Sequence, residues 1–386
     1  MNPPPITLEE RRARLARLEA AMEAQGVAAV LIDATASLRY FTGLVWWRSE
    51  RMIAALVRPG KPLTYVCPRF ELDKVGGSVG VPGEFLTWEE HESPYALVAD
   101  AVGRTGVLAV DEQAPVFAWL GLAEALGVER LRGAGSLITP LRARKSEAEI
   151  ALMTRAKALT LEAHRRAHES LEAGMRASEV VAILDRQHRA LGADGGNTFC
   201  SVSFGEDTSL PHGGEGDPAL KEGDVVLIDT GCALDGYNAD ITRTYVFGEP
   251  TPEVRRIWEL EHAAQAAAFE AAQLGEPCEA VDAAVRTFLK AEGLGPDYQL
   301  PGTPHRTGHG IGLDIHEAPN LVRGDRTLLD VGMCFSNEPM IVVPGQFGIR
   351  LEDHFHMTAD GPNWFTEPQP SLDEPFRGVA VLQAAG

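Results

Sequence analysis

The stretch Val225-Val-Leu-Ile-Asp229-Thr-Gly231-Cys-Ala-Leu-Asp235-Gly236-Tyr-Asn-Ala-Asp240-Ile-Thr-Arg-Thr244 decides how this chain reads. Asp-Gly between two apolar, β-branched runs is a strong two-residue hairpin signal. A turn centred between Asp235 and Gly236 puts Asp229 opposite Thr242 and Asp240 opposite Gly231. Asp229 and Asp240 then lie on one face as diagonal neighbours. The aliphatic run before Asp229 is a buried strand, so it carries a carboxylate into the interior. A buried, unpaired carboxylate is expensive. Two close together repel by roughly 4 kcal/mol at an effective dielectric of about 20. A dication removes both costs. Taken alone, Asp229 reads as a strand end and Asp240 as a turn residue; the pairing favours a metal site.

Three further segments supply chemistry. In His305-Arg-Thr-Gly-His309-Gly-Ile-Gly-Leu-Asp-Ile-His316-Glu, glycines flank His309, which would let the backbone pass close to a bound ion. Imidazole is a common metal ligand. His305 and His316 are candidates for proton transfer or substrate hydrogen bonds, against blander readings as a turn histidine and a helix-cap pair. In Ser336-Asn-Glu338-Pro339, the following proline holds Glu338 extended. In Gly348-Ile-Arg350-Leu-Glu352-Asp-His354-Phe-His356, alternation places Arg350 and Glu352 on one face. Arg350 is a candidate to steady Glu352 or to bind a substrate carboxylate. Four carboxylates and two dications sum to zero charge, and an oxygen-rich, thiolate-free set favours Mn, Co or Zn.

Outward from this core, the chain divides into two parts. Residues 1–145 alternate helical and strand patterns. Thr7 caps a helix with Leu15, Leu18 and Met22 on one face. Strands follow over Val27–Ile32, Met52–Val57, Leu63–Val66 and Gly106–Val110, with helices near Pro94–Val102 and Pro115–Leu126. This predicts an α/β domain with a partly parallel sheet. Residues 146–386 open with Ser146, a cap with Glu149 in capping-box spacing. Helices are expected over Glu147–Ala173, Ser178–Leu191, Pro252–Leu274 and Cys278–Glu292, and strands over the remaining apolar runs. Helix pairs alternating with antiparallel strands predict α+β.

Composition excludes several classes. The 386 residues carry a formal charge of -20, which argues against nucleic acid or an anionic membrane as partner. Five cysteines without CxxC spacing fit a reducing compartment rather than a disulfide framework. The charged, amphipathic start lacks the apolar core of a signal peptide. These features predict a cytoplasmic protein.

The segments together resemble the signature of the "pita-bread" metallopeptidases, which include methionine aminopeptidase, aminopeptidase P, prolidase and the metal-free creatinase. Their order Asp, Asp, His, Glu, Glu is matched by Asp229, Asp240, His309, Glu338 and Glu352. The resemblance spans the chain, and the Arg142-x-x-Lys145-Ser146 junction is similar to the aminopeptidase P and prolidase branch. It implies a creatinase-like α/β domain over 1–145 and a pita-bread α+β catalytic domain over 146–386. It implies two divalent metal ions, Mn2+ first and Co2+ or Zn2+ as alternatives. Asp240 and Glu352 would bridge both ions, Asp229 would complete one site, and His309 with Glu338 the other. Glu338 would also take a proton. His212 and His316 match histidines that stabilise the tetrahedral intermediate or leaving group. His305 and Arg350 match substrate-pocket positions. A homodimer is implied as well. Two departures bear on the pocket: Met340 stands where the family commonly has Gly, and His354 and His356 follow Glu352-Asp353.

The expected activity is hydrolysis of Xaa-Pro dipeptides by a metal-bridging hydroxide. The runner-up is an aminopeptidase P acting on longer Xaa-Pro peptides, and a third reading is a hydrolase of a small non-proline amide. An arginine that closes the cleft near the proline carboxylate, Arg323 or Arg326, would favour the dipeptidase.

Overall fold

The computed structural model describes residues 2–211 and 213–383. The chain forms two compact units, Ile6–Arg142 and Met1–Pro5 with Ala143–Gly386. The smaller unit runs α1 (Leu8–Ala24), β1 (Ala29–Ile32), α2 (Ala36–Thr42), β2 (Ala54–Val57), β3 (Thr64–Pro68), α3 (Leu72–Gly76), β4 (Glu84–Trp88), α4 (Pro94–Val102), β5 (Leu108–Val110), α5 (Val116–Leu126), β6 (Leu131–Gly133) and α6 (Gly135–Ala143). Thr7 caps α1 as expected, accepting from the Glu10 amide at 3.1 Å. The six strands lie in the order β4-β3-β2-β1-β5-β6. β1 pairs antiparallel with β2 and parallel with β5, so the sheet is mixed. Its inner strands β1, β2, β3 and β5 are buried along their whole length, and Leu31, Leu56, Val66, Leu108 and Val110 form a core with Val98 of α4 and Leu122 of α5.

The larger unit continues with α7 (Glu147–Glu169), α8 (Ala177–Leu191), β7 (Asn197–Phe204), β8 (Val225–Leu234), β9 (Tyr237–Asn238), β10 (Ile241–Val246), α9 (Pro252–Ala271) and α10 (Cys278–Ala291). Seven strands close it: β11 (Gly308–Gly310), β12 (Glu317–Leu321), β13 (Cys334–Asn337), β14 (Met340–Val343), β15 (Phe347–Arg350), β16 (Asp353–Thr358) and β17 (Gly361–Trp364). Ser146 and Glu149 form the capping box that starts α7. β8 lies between β7 and β10, and β11, β13 and β16 form the middle of a five-stranded sheet edged by β12 and β17; β14 and β15 pair separately. Among the described residues, every strand pairing in this unit is antiparallel.

The hairpin forms as its sequence dictates. Asp235 and Gly236 both have positive φ, 46° and 72°, the pattern a tight hairpin turn requires. Asp229 pairs with Thr242, and Leu234 with Tyr237. The ladder breaks at Ala239 and Asp240, between β9 and β10. A Cβ on Gly231 would stand 1.8 Å from the Ala239 carbonyl oxygen, so only glycine fits there. Helix α7 lies on this hairpin. Its buried face, spaced three and four apart, includes Met153, Lys157, Thr160 and His164. His164 Nε2 donates to the Ile241 carbonyl at 3.1 Å and Lys157 Nζ to the Asn238 carbonyl at 3.2 Å. Helices α9 and α10 pack Ile257, Ala264, Val281 and Val285 against Phe335, Ile349 and Phe355 of the strands. Each large apolar side chain so buried contributes roughly 1.5–3 kcal/mol.

The five cysteines are free. No helix among the described residues is long and apolar enough to cross a membrane.

Candidate metal centre and substrate cleft

The larger unit gathers its carboxylates from within one strand and from the links between strands. Asp229 comes from β8, Asp240 from the break before β10, Glu338 from the link between β13 and β14, and Glu352 from the link between β15 and β16. His309 is the middle residue of β11. Ligand atoms of Asp229, Asp240 and Glu352 lie within 4.8 Å of one another; so do those of His309, Glu338 and Glu352, and of Asp240, His309 and His316. His309 Nδ1 contacts the Gly310 carbonyl at 3.0 Å. That oxygen can only accept, so Nδ1 carries a proton and Nε2 is the ring atom turned toward the carboxylates. Nε2 faces Glu338 Oε1 at 3.2 Å and Asp240 Oδ2 at 3.8 Å.

The electrostatics of this cluster demand a cation. Burial, then the neighbouring charges of Asp229 and Glu338, pushes the Asp240 carboxyl well above its usual range. Burial, then Asp240 and Glu338, does the same to Glu352. Glu338 is also buried, which alone would raise it, but the hydrogen bond and charge of His309 bring it below the ordinary range. Asp229 Oδ1, Asp240 Oδ1 and Glu352 Oε1 are buried without a hydrogen-bond partner among the described residues. Buried oxygens orphaned together are costly, and divalent ions would satisfy all three. The residues therefore fit the metal ions that their type and spacing imply.

Supporting side chains fix the carboxylates. Thr242 Oγ1 donates to Glu352 Oε2 at 2.9 Å and accepts from Arg350 Nε at 3.0 Å. Ser336 Oγ donates to Glu338 Oε1 at 3.2 Å and accepts from the His309 amide at 2.9 Å. Arg243 donates to the Glu352 carbonyl at 3.0 Å and pairs with Asp353 at 2.7 Å. Gln265 of α9 donates to the carbonyls of Asn337 and Leu351, at 3.3 and 3.2 Å, so one amide holds the residues preceding both glutamates. The sequence reading missed Thr242, Arg243, Gln265, Ser336 and Asp353. Gln265 carries no local signal because its partners lie far along the chain.

Several details correct the expectations. The glycines around His309 serve strand packing: a Cβ on Gly308 would come 2.1 Å from the Ser336 carbonyl oxygen. Glu317 opens β12 and pairs with Lys145 at 2.5 Å, so His316-Glu317 is no helix cap. Arg350 reaches Asp229 directly, with Nη2 2.5 Å from Oδ2, and meets Glu352 only through Thr242. His354, one of the two departures noted after Glu352-Asp353, is fully buried, and His356 is half-buried. Arg323 and Arg326 are exposed and pair with Asp297 and Glu279. Neither lines the cleft over the carboxylates. His212 lies outside the described residues.

That cleft encloses about 630 Å3 and is bounded by Asp229, Asp240, Glu338 and Glu352, with Phe199, Ile315, His305, Arg306, His316 and Arg350 on its walls. Its volume is that of an ordinary small-ligand site. His305 Nδ1 donates to the Arg306 carbonyl at 2.7 Å, while its Nε2 has no partner among the described residues. Burial lowers the His305 pKa, which keeps the ring neutral. The His316 ring stands edge-on to His309, with centroids 4.3 Å apart.

A carboxylate-rich, histidine-bearing cleft of this kind is that of a metal-dependent hydrolase, and comparison with known proteins defines the class. Residues 151–359 match metallopeptidase family M24, and residues 14–144 match the creatinase/prolidase N-terminal domain. The chain belongs to metallopeptidase family M24, with a creatinase-type N-terminal domain and a pita-bread catalytic domain. It is 37% identical over 354 residues to the probable dipeptidase PepE of Mycobacterium tuberculosis, covering 90% of this chain and 92% of that one. The crystal structure of dipeptidase PepE from Mycobacterium ulcerans is similar with a TM-score of 0.89 at 34% identity, over 96% of this chain and 99% of that one. A prolidase from Thermococcus sibiricus is similar with a TM-score of 0.83 at 28% identity, over 92% and 96%. Membership of this family implies divalent metal ions.

Proposed function

We propose that the protein is an Xaa-Pro dipeptidase whose two divalent metal ions, Mn2+ first among candidates, are held by Asp229, Asp240, His309, Glu338 and Glu352. The observation that carries this reading is the set of three orphaned carboxylate oxygens, on Asp229, Asp240 and Glu352, buried at the base of the cleft. When bound, such ions supply Lewis acidity toward the scissile carbonyl and an ionised water at neutral pH. Glu338, beside that position, accepts the proton of the attacking water. The bond before proline is a tertiary amide, so its nitrogen leaves poorly unless protonated. His316, exposed and edge-on to His309, is placed to donate that proton, and His212 shares this role by family resemblance. His305 Nε2 opens toward the substrate as a neutral hydrogen-bonding group. Arg350 holds Asp229 and contributes positive charge to the pocket. The similarity to dipeptidases and a prolidase supports a dipeptide substrate. Five free cysteines support a cytoplasmic location, and the family resemblance supports a homodimer.

The test is a side-by-side assay of Ala-Pro, Ala-Pro-Ala and Ala-Ala after chelation and restoration of Mn2+, Co2+ or Zn2+. Ala-Pro is expected to be cleaved fastest. Cleavage of Ala-Pro-Ala at an equal or higher rate would replace the dipeptidase reading with aminopeptidase P. Inactivity on both proline peptides would remove the proline specificity.

A further inference from the structure

A dipeptide differs from every longer peptide in one respect: a free carboxylate lies two bonds beyond the scissile nitrogen. A dipeptidase must recognise that charge in a cleft whose base already carries four carboxylates. Two guanidinium groups line the cleft, Arg306 and Arg350. Arg350 is 4% exposed, and all three of its nitrogens are engaged. Nη2 bonds Asp229, Nε bonds Thr242, and Nη1 bonds the Pro211 carbonyl at 3.2 Å. Its charge is matched by Asp229, and its direction is fixed by β10.

Arg306 is in a different state. It is half-buried on the cleft wall and, among the described residues, makes one side-chain hydrogen bond, from Nη1 to Asn320 Oδ1 at 2.8 Å. Among the described residues it forms no ion pair. Its backbone carbonyl is held by His305 Nδ1, and the Asn320 amide is held by Asp325 Oδ2 at 2.8 Å. The guanidinium is thus aimed from both ends while its other N–H groups remain available. Arg350 is held against Asp229, whereas Arg306 has no carboxylate paired with it among the described residues. A planar guanidinium presents parallel donors that match a carboxylate.

We propose that Arg306 is a specificity-determining residue that binds the free C-terminal carboxylate of a dipeptide substrate. This rests on the dipeptidase reading above and not on proline specificity. His305, whose proton sits on Nδ1 against the Arg306 carbonyl, presents Nε2 on the same wall as an acceptor, so it does not take over the role of binding the carboxylate.

The test measures kcat and KM of the metal-loaded wild type, Arg306→Gln and Arg306→Lys on Ala-Pro and Ala-Pro-amide, and on Ala-Ala and Ala-Ala-amide. The wild type is expected to favour each free acid over its amide by about 10- to 100-fold, the scale of a charge-assisted hydrogen bond. Arg306→Gln is expected to abolish that discrimination, mainly by raising KM for the free acids, and Arg306→Lys to restore part of it. A purely structural role would depress acid and amide substrates by the same factor, and that result overturns the proposal. Discrimination retained in Arg306→Gln, or absent from the wild type, also overturns it. If the wild type cleaves Ala-Ala but not Ala-Pro, proline specificity fails while the Ala-Ala pair still decides the role of Arg306. Inactivity on both free dipeptides overturns both readings.

Discussion

Thr242 shows how much the centre depends on one hydroxyl. It donates to Glu352 and accepts from Arg350, so it orders the glutamate and the arginine that reaches Asp229. Thr242 is fully buried, and valine has nearly its shape. Thr242→Val would remove both bonds and leave a second Glu352 oxygen without a partner. Losing such a support typically weakens metal binding by about 10- to 100-fold. Calorimetric titration of the chelated variant with Mn2+ should show that loss, with an unchanged far-ultraviolet dichroism spectrum. Wild-type affinity in the variant would mean that Glu352 is oriented by its backbone alone.

At the scale of elements, the hairpin β8–β10 sets the site, and Gly231 sets the hairpin. Any side chain there meets the Ala239 carbonyl, next to Asp240. Gly231→Ala should force the strands apart at the ladder break, costing about 1–3 kcal/mol and moving Asp240 away from Asp229. Denaturant unfolding and Mn2+ titration of the variant check both effects. Stability and affinity equal to wild type would show that the break can absorb a methyl group. This hairpin was legible in the sequence because its evidence is local: an Asp-Gly turn, an aliphatic run and a fixed register. The capping box at Ser146 and helix α4 were legible for the same reason. Strand β4 was not, because its residues, Glu84 to Trp88, are mostly half-exposed and lack an apolar run. Helix α6 hid behind Pro140 in its interior. Strands β11 and β12, three and five residues long, gain their definition from partners on other segments. Within the site, residue types and spacing marked the carboxylates and His309. The brackets that hold them, Gln265 and Arg243, bond to residues far away in sequence and left no local trace. Arg306 stood in plain view beside His305, but only the cleft shows that its charge has no counterpart.

For the whole molecule, the strongest pH dependence should come from buried neutral histidines. His164 lies on α7 with no exposure. Its Nε2 donates to Ile241, and its Nδ1 is buried without a partner among the described residues. Burial, then the nearby Arg243 charge, pushes its pKa down to about 3. In the unfolded chain it returns to about 6.5. Above that pH neither state binds the proton, so the ring's contribution is constant. As pH falls below 6.5, the unfolded chain gains a proton that the folded protein refuses until about 3, and stability is lost throughout that window. One such group contributes a slope approaching 1.4 kcal/mol per pH unit. Other groups add slopes of their own; those of Asp240 and Glu352, whose pKa values burial raises, run the opposite way in the metal-free protein. The variant His164→Gln cancels these shared contributions, because its amide can still donate to Ile241 but cannot be protonated. Urea unfolding of both proteins under chelation, at intervals from pH 7.5 to pH 5, isolates the term. The wild type should lose stability faster than His164→Gln below pH 6.5, with the two curves parallel above it. Parallel curves throughout would mean that α7 opens readily enough for His164 to protonate in the folded protein.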